Sequence, residues 1–321
     1  MIRVRTPGRL HFGLLPWAGG TSSETASAAE PRRLGGCGLM VSDPGLELRL
    51  SPAERWDIRG SLTTAVERAL ARLLEHPALA GAPPHRIEVQ AAAPAHAGLG
   101  TGTQVSLGLA LGLGQAVGIG VPLAELARWL GRGQRSRVGM LGFLEGGFIV
   151  DPGPDQAPFR LAFPEAWEVW IAVPREGSAW SGPKEAEAFA RVQPDPAGRR
   201  ELIHLLMGEV VPAVQGADFH RFGSALAEFN LRAGQMFAPA QGGRYADAGV
   251  ERLVNLGTAL GGSAGQSSWG PAVYLIRPKA LALDSAALTH LLAEAEQRGY
   301  DWIRTTAQTS GAAVRQVQEA D

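Results

Sequence analysis

Apolar and polar residues alternate with a period of two at the start of the chain. Ile2 and Val4 would face one way and Arg3 and Arg5 the other, which predicts a strand closing at Thr6-Pro7-Gly8. Shorter runs at 35–40, 46–50 and 86–90 predict further strands, the second reading Leu, Glu, Leu, Arg, Leu. Between 61 and 75 the period changes. Leu62, Val66, Ala69, Leu70, Leu73 and Leu74 have the spacing of one helical face. Residues 104–117 predict a buried helix in which Gly108, Gly112 and Gly114 interrupt a leucine-rich run. Glycine weakens a helix, so these positions imply another element packed very close. Pro122 opens a further helix and Gly131 closes it.

The second half predicts strands at 167–173, 272–276 and 302–306, and helices at 197–215, 218–233, 246–260 and 284–299. The tail 311–321 is expected to fray. Residues 17–33, rich in Gly, Ser, Thr, Ala and Glu, read as a long mobile loop. Residues 151–158 carry three prolines and predict a domain boundary. The expectation is an α+β protein of two domains, 1–158 and 159–321.

Composition narrows the class of function. The chain has 321 residues, 45% hydrophobic and 19% charged, with a net charge of −1. Bulk electrostatic binding to nucleic acid or a membrane surface is therefore not expected. Cys37 stands alone, which excludes a disulfide framework and a cysteine metal cluster. No secretory signal or membrane-length apolar run is visible, so a cytoplasmic protein is expected. Of 30 basic residues only Lys184 and Lys279 are lysine. Arginine forks suit phosphates and carboxylates, although biased coding also enriches arginine.

The chemistry concentrates in two stretches. Residues 94–104 read PAHAGLGTGTQ and lead into the 104–117 helix. A glycine-rich turn at a helix start gathers unpaired backbone N–H groups and the positive end of the helix dipole. The backbone of Gly98, Leu99, Gly100 and Gly102 and the side chains of Thr101, Thr103 and Gln104 are thus candidate phosphate ligands. Either threonine hydroxyl is a candidate ligand for a phosphate-bound Mg²⁺. The second stretch is 131–153. There Arg132, Arg135 and Arg137 bracket Ser136 among glycines, which reads as an oxyanion clamp in a loop. Glu145 precedes a Gly-Gly turn, and Asp151 ends a short strand at 148–150.

Three motifs in order carry a resemblance: PGRLHFGL near the N-terminus, PAHAGLGTGTQ, and the late GQSSWGP. Together they resemble the GHMP superfamily of small-molecule kinases. The central motif departs from the Gly-Leu-Gly-Ser-Ser-Ala of the kinases. With RGQRSRVG and GGFIVDPG, it is similar instead to the β-ribofuranosylaminobenzene 5′-phosphate synthases within that superfamily. The resemblance covers nearly the whole chain and implies a GHMP-type fold with its active site between two domains. It implies a decarboxylating transferase that joins phosphoribosyl diphosphate to 4-aminobenzoate or 4-hydroxybenzoate. CO₂ and diphosphate leave, in an early step of tetrahydromethanopterin synthesis. It also implies Mg²⁺ and a homodimer.

On that chemistry, the 98–104 loop, Arg9, Arg135, Ser136 and Arg137 are expected to hold phosphate groups. Glu145 or Asp151 would steady the cation at the anomeric carbon. Phe12, Phe143 and Trp269 are candidates for an aromatic wall, core packing being the alternative for the two phenylalanines. Gly265, Gln266, Ser267 and Ser268 would fix the polar ends of the ring substrate. His11, inside the first motif, is either a ligand or proton relay or a satisfied core histidine; His96 is weaker. An ATP-dependent GHMP kinase is the rival reading. Against it, no aspartate occurs between Asp57 and Asp151, and no lysine precedes Lys184. A phosphate-binding protein without catalysis is a third reading. An ordinary phosphoribosyltransferase loop is set aside, because Ala91-Ala92-Ala93 stands where its acidic pair belongs.

Overall fold

The computed structural model describes residues 1–15, 34–133, 136–153, 155–177 and 196–317. The expected loop 17–33, Arg135 and Lys184 lie outside the described residues. Two long strands organise the fold. β1 (Ile2–Leu15) and β2 (Gly35–Pro52) pair antiparallel along most of their length. They join β3 (Asp57–Gly60), β4 (His85–Ala91), β5 (Phe148–Asp151), β6 (Phe159–Leu161) and β11 (Ala313–Gln316) in one sheet. Its main path runs β11-β1-β2-β4-β3, with β5 on β2 and β6 on β5. The second sheet is antiparallel in the order β10 (Tyr300–Thr305), β7 (Trp167–Pro174), β9 (Val273–Pro278), β8 (Ser263–Gln266).

Each long strand serves two cores. At one end Val4, Leu48 and Leu50, with Ile87 and Val89 of β4, pack under α1 (Thr63–Leu74) and α2 (Thr101–Val117). At the other end Leu10, Phe12, Leu39 and Val41 join Trp167, Val169, Ile171, Tyr274 and Ile276 of the second sheet. The outer face of the first end stays charged, with Glu47 accepting from Arg3 at 2.7 Å and from Arg5 at 2.9 Å. The alternation read from the sequence is therefore the physical reason these strands lie where they do. The glycines of α2 also behave as expected. A Cβ on Gly112 would sit 2.9 Å from Leu50 and Val4, and one on Gly108 would sit 3.2 Å from Leu46. Side chains there would push the helix off the sheet.

The remaining helices are α3 (Leu123–Trp129), α4 (Val138–Glu145) and α5 (Pro196–Ile203), which continues through a π-helical His204–Val210 into α6 (Val211–Gln215). They are followed by α7 (Phe219–Gln235), α8 (Ala238–Gln241), α9 (Ala248–Ala259) and α10 (Ser285–Gln297). The last strong helices are capped as their sequences dictate. Asp218, Asp247 and Asp284 each accept from a backbone N–H of the first turn.

Several expectations are corrected. β1 does not end at Thr6-Pro7-Gly8 but continues through a register shift between Thr6 and Gly8, a bulge that absorbs the missing proline N–H. The strand pieces 35–40 and 46–50 are one strand. The segment 138–145, to which the sequence reading assigned no element, is α4, because Val138, Gly142 and Phe143 bury one face of a single short helix. The glycine-rich stretch 261–271 has the composition of a turn, yet its residues 263–266 are strand β8. The tail is not frayed over its first residues: β11 pairs with β1, Val4 opposite Val314. β6 and β11, beyond residue 158, thus both return to the first sheet. Among the described residues no helix is long and apolar enough to cross a membrane.

Candidate active site

The turn before α2 is built on left-handed backbone. Gly98 has φ +89°, His96 has φ +60° and Gly100, which caps the helix, has φ +74°. No side chain caps α2, so its first N–H groups point outward beside Thr101 and Gly102. The Thr101 hydroxyl donates to the Pro94 carbonyl at 3.1 Å and ties the turn shut. Arg132 lies along the first helical turn, donating to Ser106 Oγ at 2.7 Å. The Arg9 side chain passes between Gly100 and Gly139, its guanidinium 3.0–3.3 Å from where Cβ atoms on those glycines would stand. Two guanidinium groups and a helix N-terminus therefore converge, which is an arrangement that attracts a phosphate or diphosphate.

Ser267 joins the three motifs. Its hydroxyl accepts from the His11 backbone N–H at 3.0 Å and donates to the Gly98 carbonyl at 2.8 Å, and it is fully buried. The Ser268 N–H donates to the His11 carbonyl at 2.8 Å, and the Ala272 N–H to that of Ala97 at 3.0 Å. Asn230 on α7 completes the join. Its amide donates to the carbonyls of Phe12 at 2.7 Å and Gln266 at 2.9 Å and accepts from the Gln266 N–H at 3.3 Å. Ser267→Ala is expected to cost about 2 kcal/mol, because it strands a buried N–H and a buried carbonyl at once. Urea unfolding checks this, and a loss below about 0.5 kcal/mol would remove Ser267 from this role.

His11 is buried in the same join. Its Nε2 stands 3.5 Å from Ser136 Oγ, and Nδ1 has no hydrogen-bond partner among the described residues. Burial first, then the charge of Arg9, holds the imidazole well below its ordinary value, so the ring is neutral near pH 7.

The carboxylate candidates separate. Asp151 is 1% exposed and wrapped by Arg137. It accepts from Arg137 N at 2.8 Å, from Nη2 at 2.6 Å and from the Gly153 N–H at 3.2 Å. Arg137 also donates to the carbonyls of Gly153 and Gln156. Both groups are consumed by each other, so Arg137 is not part of an open clamp. Glu145 is exposed at the far end of α4, beside the Gly146 turn that meets Gln308 and Ser310, about 10 Å of helix from Ser136. Phe12 and Phe143 are core residues of the two cores. Of the three aromatic candidates only Trp269 reaches a cleft.

That cleft has Leu14, Phe237 and Trp269 on its apolar side and Ser268, Gln266, Asn230 and Arg244 among its polar lining. Trp269 packs on Phe237 with ring centroids 4.5 Å apart. Gln266 is held by Ser268 O at 3.0 Å and Ala246 N at 2.7 Å, and Gly265 leaves room for the Tyr274 hydroxyl and Asn230. Asn230, Phe237 and Arg244 escaped the sequence reading. Asn230 alone left a signal there, as a polar residue within the buried stripe Phe222, Leu226, Phe229 and Ala233 of α7.

For Mg²⁺, the described residues at the α2 N-terminus offer the hydroxyls of Thr101 and Thr103 and no open carboxylate. No group of three or more His, Cys, Asp or Glu among them is placed to hold a metal. Two neutral hydroxyls do not make a dedicated Mg²⁺ cage. The donor set fits a metal carried in on the oxygens of a diphosphate.

Comparison with known proteins agrees with this architecture. Residues 63–142 match the model of the GHMP kinases N terminal domain. The chain is 29% identical over 297 residues to the β-ribofuranosylphenol 5′-phosphate synthase of Archaeoglobus fulgidus, covering 86% of this chain and 88% of that one. It is 31% identical over 172 residues to the protein of that name from Methanothermobacter thermautotrophicus, spanning 47% of this chain and about half, 51%, of that relative. Among solved structures, mevalonate pyrophosphate decarboxylase from Streptococcus pyogenes superposes with a TM-score of 0.63 at 12% identity, covering 96% of this chain and 97% of that one. The fold is the α+β fold of the GHMP kinases.

Proposed function

We infer that this chain, which has the GHMP fold and resembles the β-ribofuranosylphenol 5′-phosphate synthases, is a decarboxylating phosphoribosyltransferase. Its substrates in this reading are phosphoribosyl diphosphate and 4-hydroxybenzoate, with 4-aminobenzoate as the other candidate ring. The observation that carries the reading is the likeness to the A. fulgidus synthase across 86% of the chain. The phenol in that relative's name favours the hydroxylated ring.

The chemistry follows from the parts. The bond from the anomeric carbon to diphosphate breaks, and the ring carbon bearing the carboxylate attacks that carbon. The electron pair of the ring–carboxylate bond then returns to the ring as CO₂ leaves. The N-terminus of α2, Arg132 and Arg9 would hold the departing diphosphate, where preorganised donors do most for a developing anion. Mg²⁺ on the diphosphate would neutralise further charge. A neutral His11 beside Arg9 adds no positive charge that would repel the cation at the sugar. Phosphoryl transfer from ATP asks for a base near the phosphate loop, and the described carboxylates at 145 and 151 are remote or paired. The product would serve a pterin carrier of one-carbon units.

The test is release of CO₂ and diphosphate from carboxyl-labelled 4-hydroxybenzoate with phosphoribosyl diphosphate and Mg²⁺, with 4-aminobenzoate in parallel. Equimolar release, faster with the hydroxylated ring, is expected. ATP consumption against small alcohols without either product would overturn the reading.

A further inference from the structure

We propose that Arg244 recognises the carboxylate of the aromatic acid and sets the cleft beside Trp269 as the ring site. This deepens the reading above and rests on it.

Among the side chains that line the cleft, Arg244 carries the only formal charge. Two of the polar neighbours are already committed: Asn230 to Phe12 and Gln266, and Gln266 to Ser268 and Ala246. Arg244 is exposed and makes no ion pair or side-chain hydrogen bond among the described residues. Its backbone is nevertheless placed. Gly234 of α7 leaves room for the Arg244 carbonyl, where a Cβ would collide, so the segment before α9 lies against α7 at the cleft. Burial raises the pKa of the neighbouring Tyr245 hydroxyl, and the Arg244 charge offsets part of that rise.

A guanidinium that lines one cleft with Trp269, Phe237 and Leu14 is complementary to a flat ring that carries one carboxylate. A phosphate of the sugar substrate shares the anionic chemistry, but the α2 N-terminus with Arg132 is the better-built site for it and lacks the aromatic wall. The carboxylate departs as neutral CO₂, so the attraction to Arg244 acts on the bound acid and fades along the reaction. It belongs to binding rather than to the chemical step.

The test is Arg244→Gln in the full chain, with Arg244→Lys beside it. The KM for 4-hydroxybenzoate should rise about tenfold or more, with kcat unchanged or higher and the KM for phosphoribosyl diphosphate within about twofold. Lysine should fall between, because it keeps the charge and loses the fork. Calorimetric titration with 4-hydroxybenzoate and its neutral amide gives a readout independent of turnover. The wild type should prefer the acid by about tenfold, and Arg244→Gln should lose that preference. An unchanged KM for the acid with an active enzyme overturns the proposal and leaves the transferase reading standing. A raised KM for phosphoribosyl diphosphate alone assigns Arg244 to the phosphate and also overturns it. Arg244-dependent binding of the acid without product would sustain the proposal and sink the transferase reading.

Discussion

Gly98→Ala is expected to destabilise the protein by about 4 kcal/mol, among the largest effects of any single methyl group here. Two terms add. Gly98 has φ +89°, a region that costs an L residue about 1–3 kcal/mol. The new Cβ would also fall against the Ser267 carbonyl oxygen and 3.2 Å from that of Gly270. Both obstacles are backbone, so no rotamer relieves them, and overpacking adds about 1–3 kcal/mol. Moving Ser267 away would break its bonds to Gly98 and His11, the same bonds that hold the first, central and late motifs together. Gly118→Ala is the control. Its φ is +68°, yet nothing lies within 4 Å of the added Cβ, so only the conformational cost of about 1 kcal/mol should appear. Thermal melting should place Gly98→Ala roughly 10 °C below the wild type. Equal losses for the two variants would show that the contact with Ser267 carries no weight. Gly100→Ala should be milder, because its Cβ meets the movable Arg9 side chain at 3.1–3.3 Å.

Arg137→Met should cost about 3–5 kcal/mol. The guanidinium is 22% exposed, but its partner Asp151 is 1% exposed and would be left as a buried charge with only backbone donors. Adding Asp151→Leu to Arg137→Met should recover much of the loss, since the buried charge is then gone. This separates two roles for Asp151. If the carboxylate is structural, Asp151→Asn lowers stability and leaves turnover within about threefold at a temperature where the variant is folded. If it steadies the sugar cation, turnover falls by about a hundredfold or more while stability holds. A double variant no more stable than Arg137→Met would count against the structural account.

Much of the fold was legible because its signals are local. The helix at 63–74 and the strands at 85–91, 167–174 and 273–278 follow from side-chain period alone. Gly108 and Gly112 announced a close neighbour before the sheet beneath them was known. The glycine-rich turn before α2 was legible for the same reason, since glycine spacing and the helix behind it lie within a dozen residues. Misreadings fell where a partner far along the chain overrode the local pattern. Pro7 looked like a strand end, but β2 pairs on both sides of it and absorbs it as a bulge. The tail beyond 311 has no strong pattern of its own and becomes strand only because β1 offers an open edge.

The site divides in the same way. Left-handed glycines, an uncapped helix start and the presence of arginines are properties of short stretches, and the sequence by itself determined them. Which arginine meets which anion was decided by the tertiary structure alone. Arg137 and Asp151 close on each other across a helix and a strand, and Arg132 comes to lie on α2. Ser267 reaches back 256 residues to His11, and Asn230 reaches 218 residues to Phe12. Arg244, unremarked in its own segment, reaches the cleft because Gly234 lets that segment approach α7. Side-chain period reports which face is buried, whereas pairing between distant polar groups is settled only when the two cores pack and each buried donor must find its acceptor.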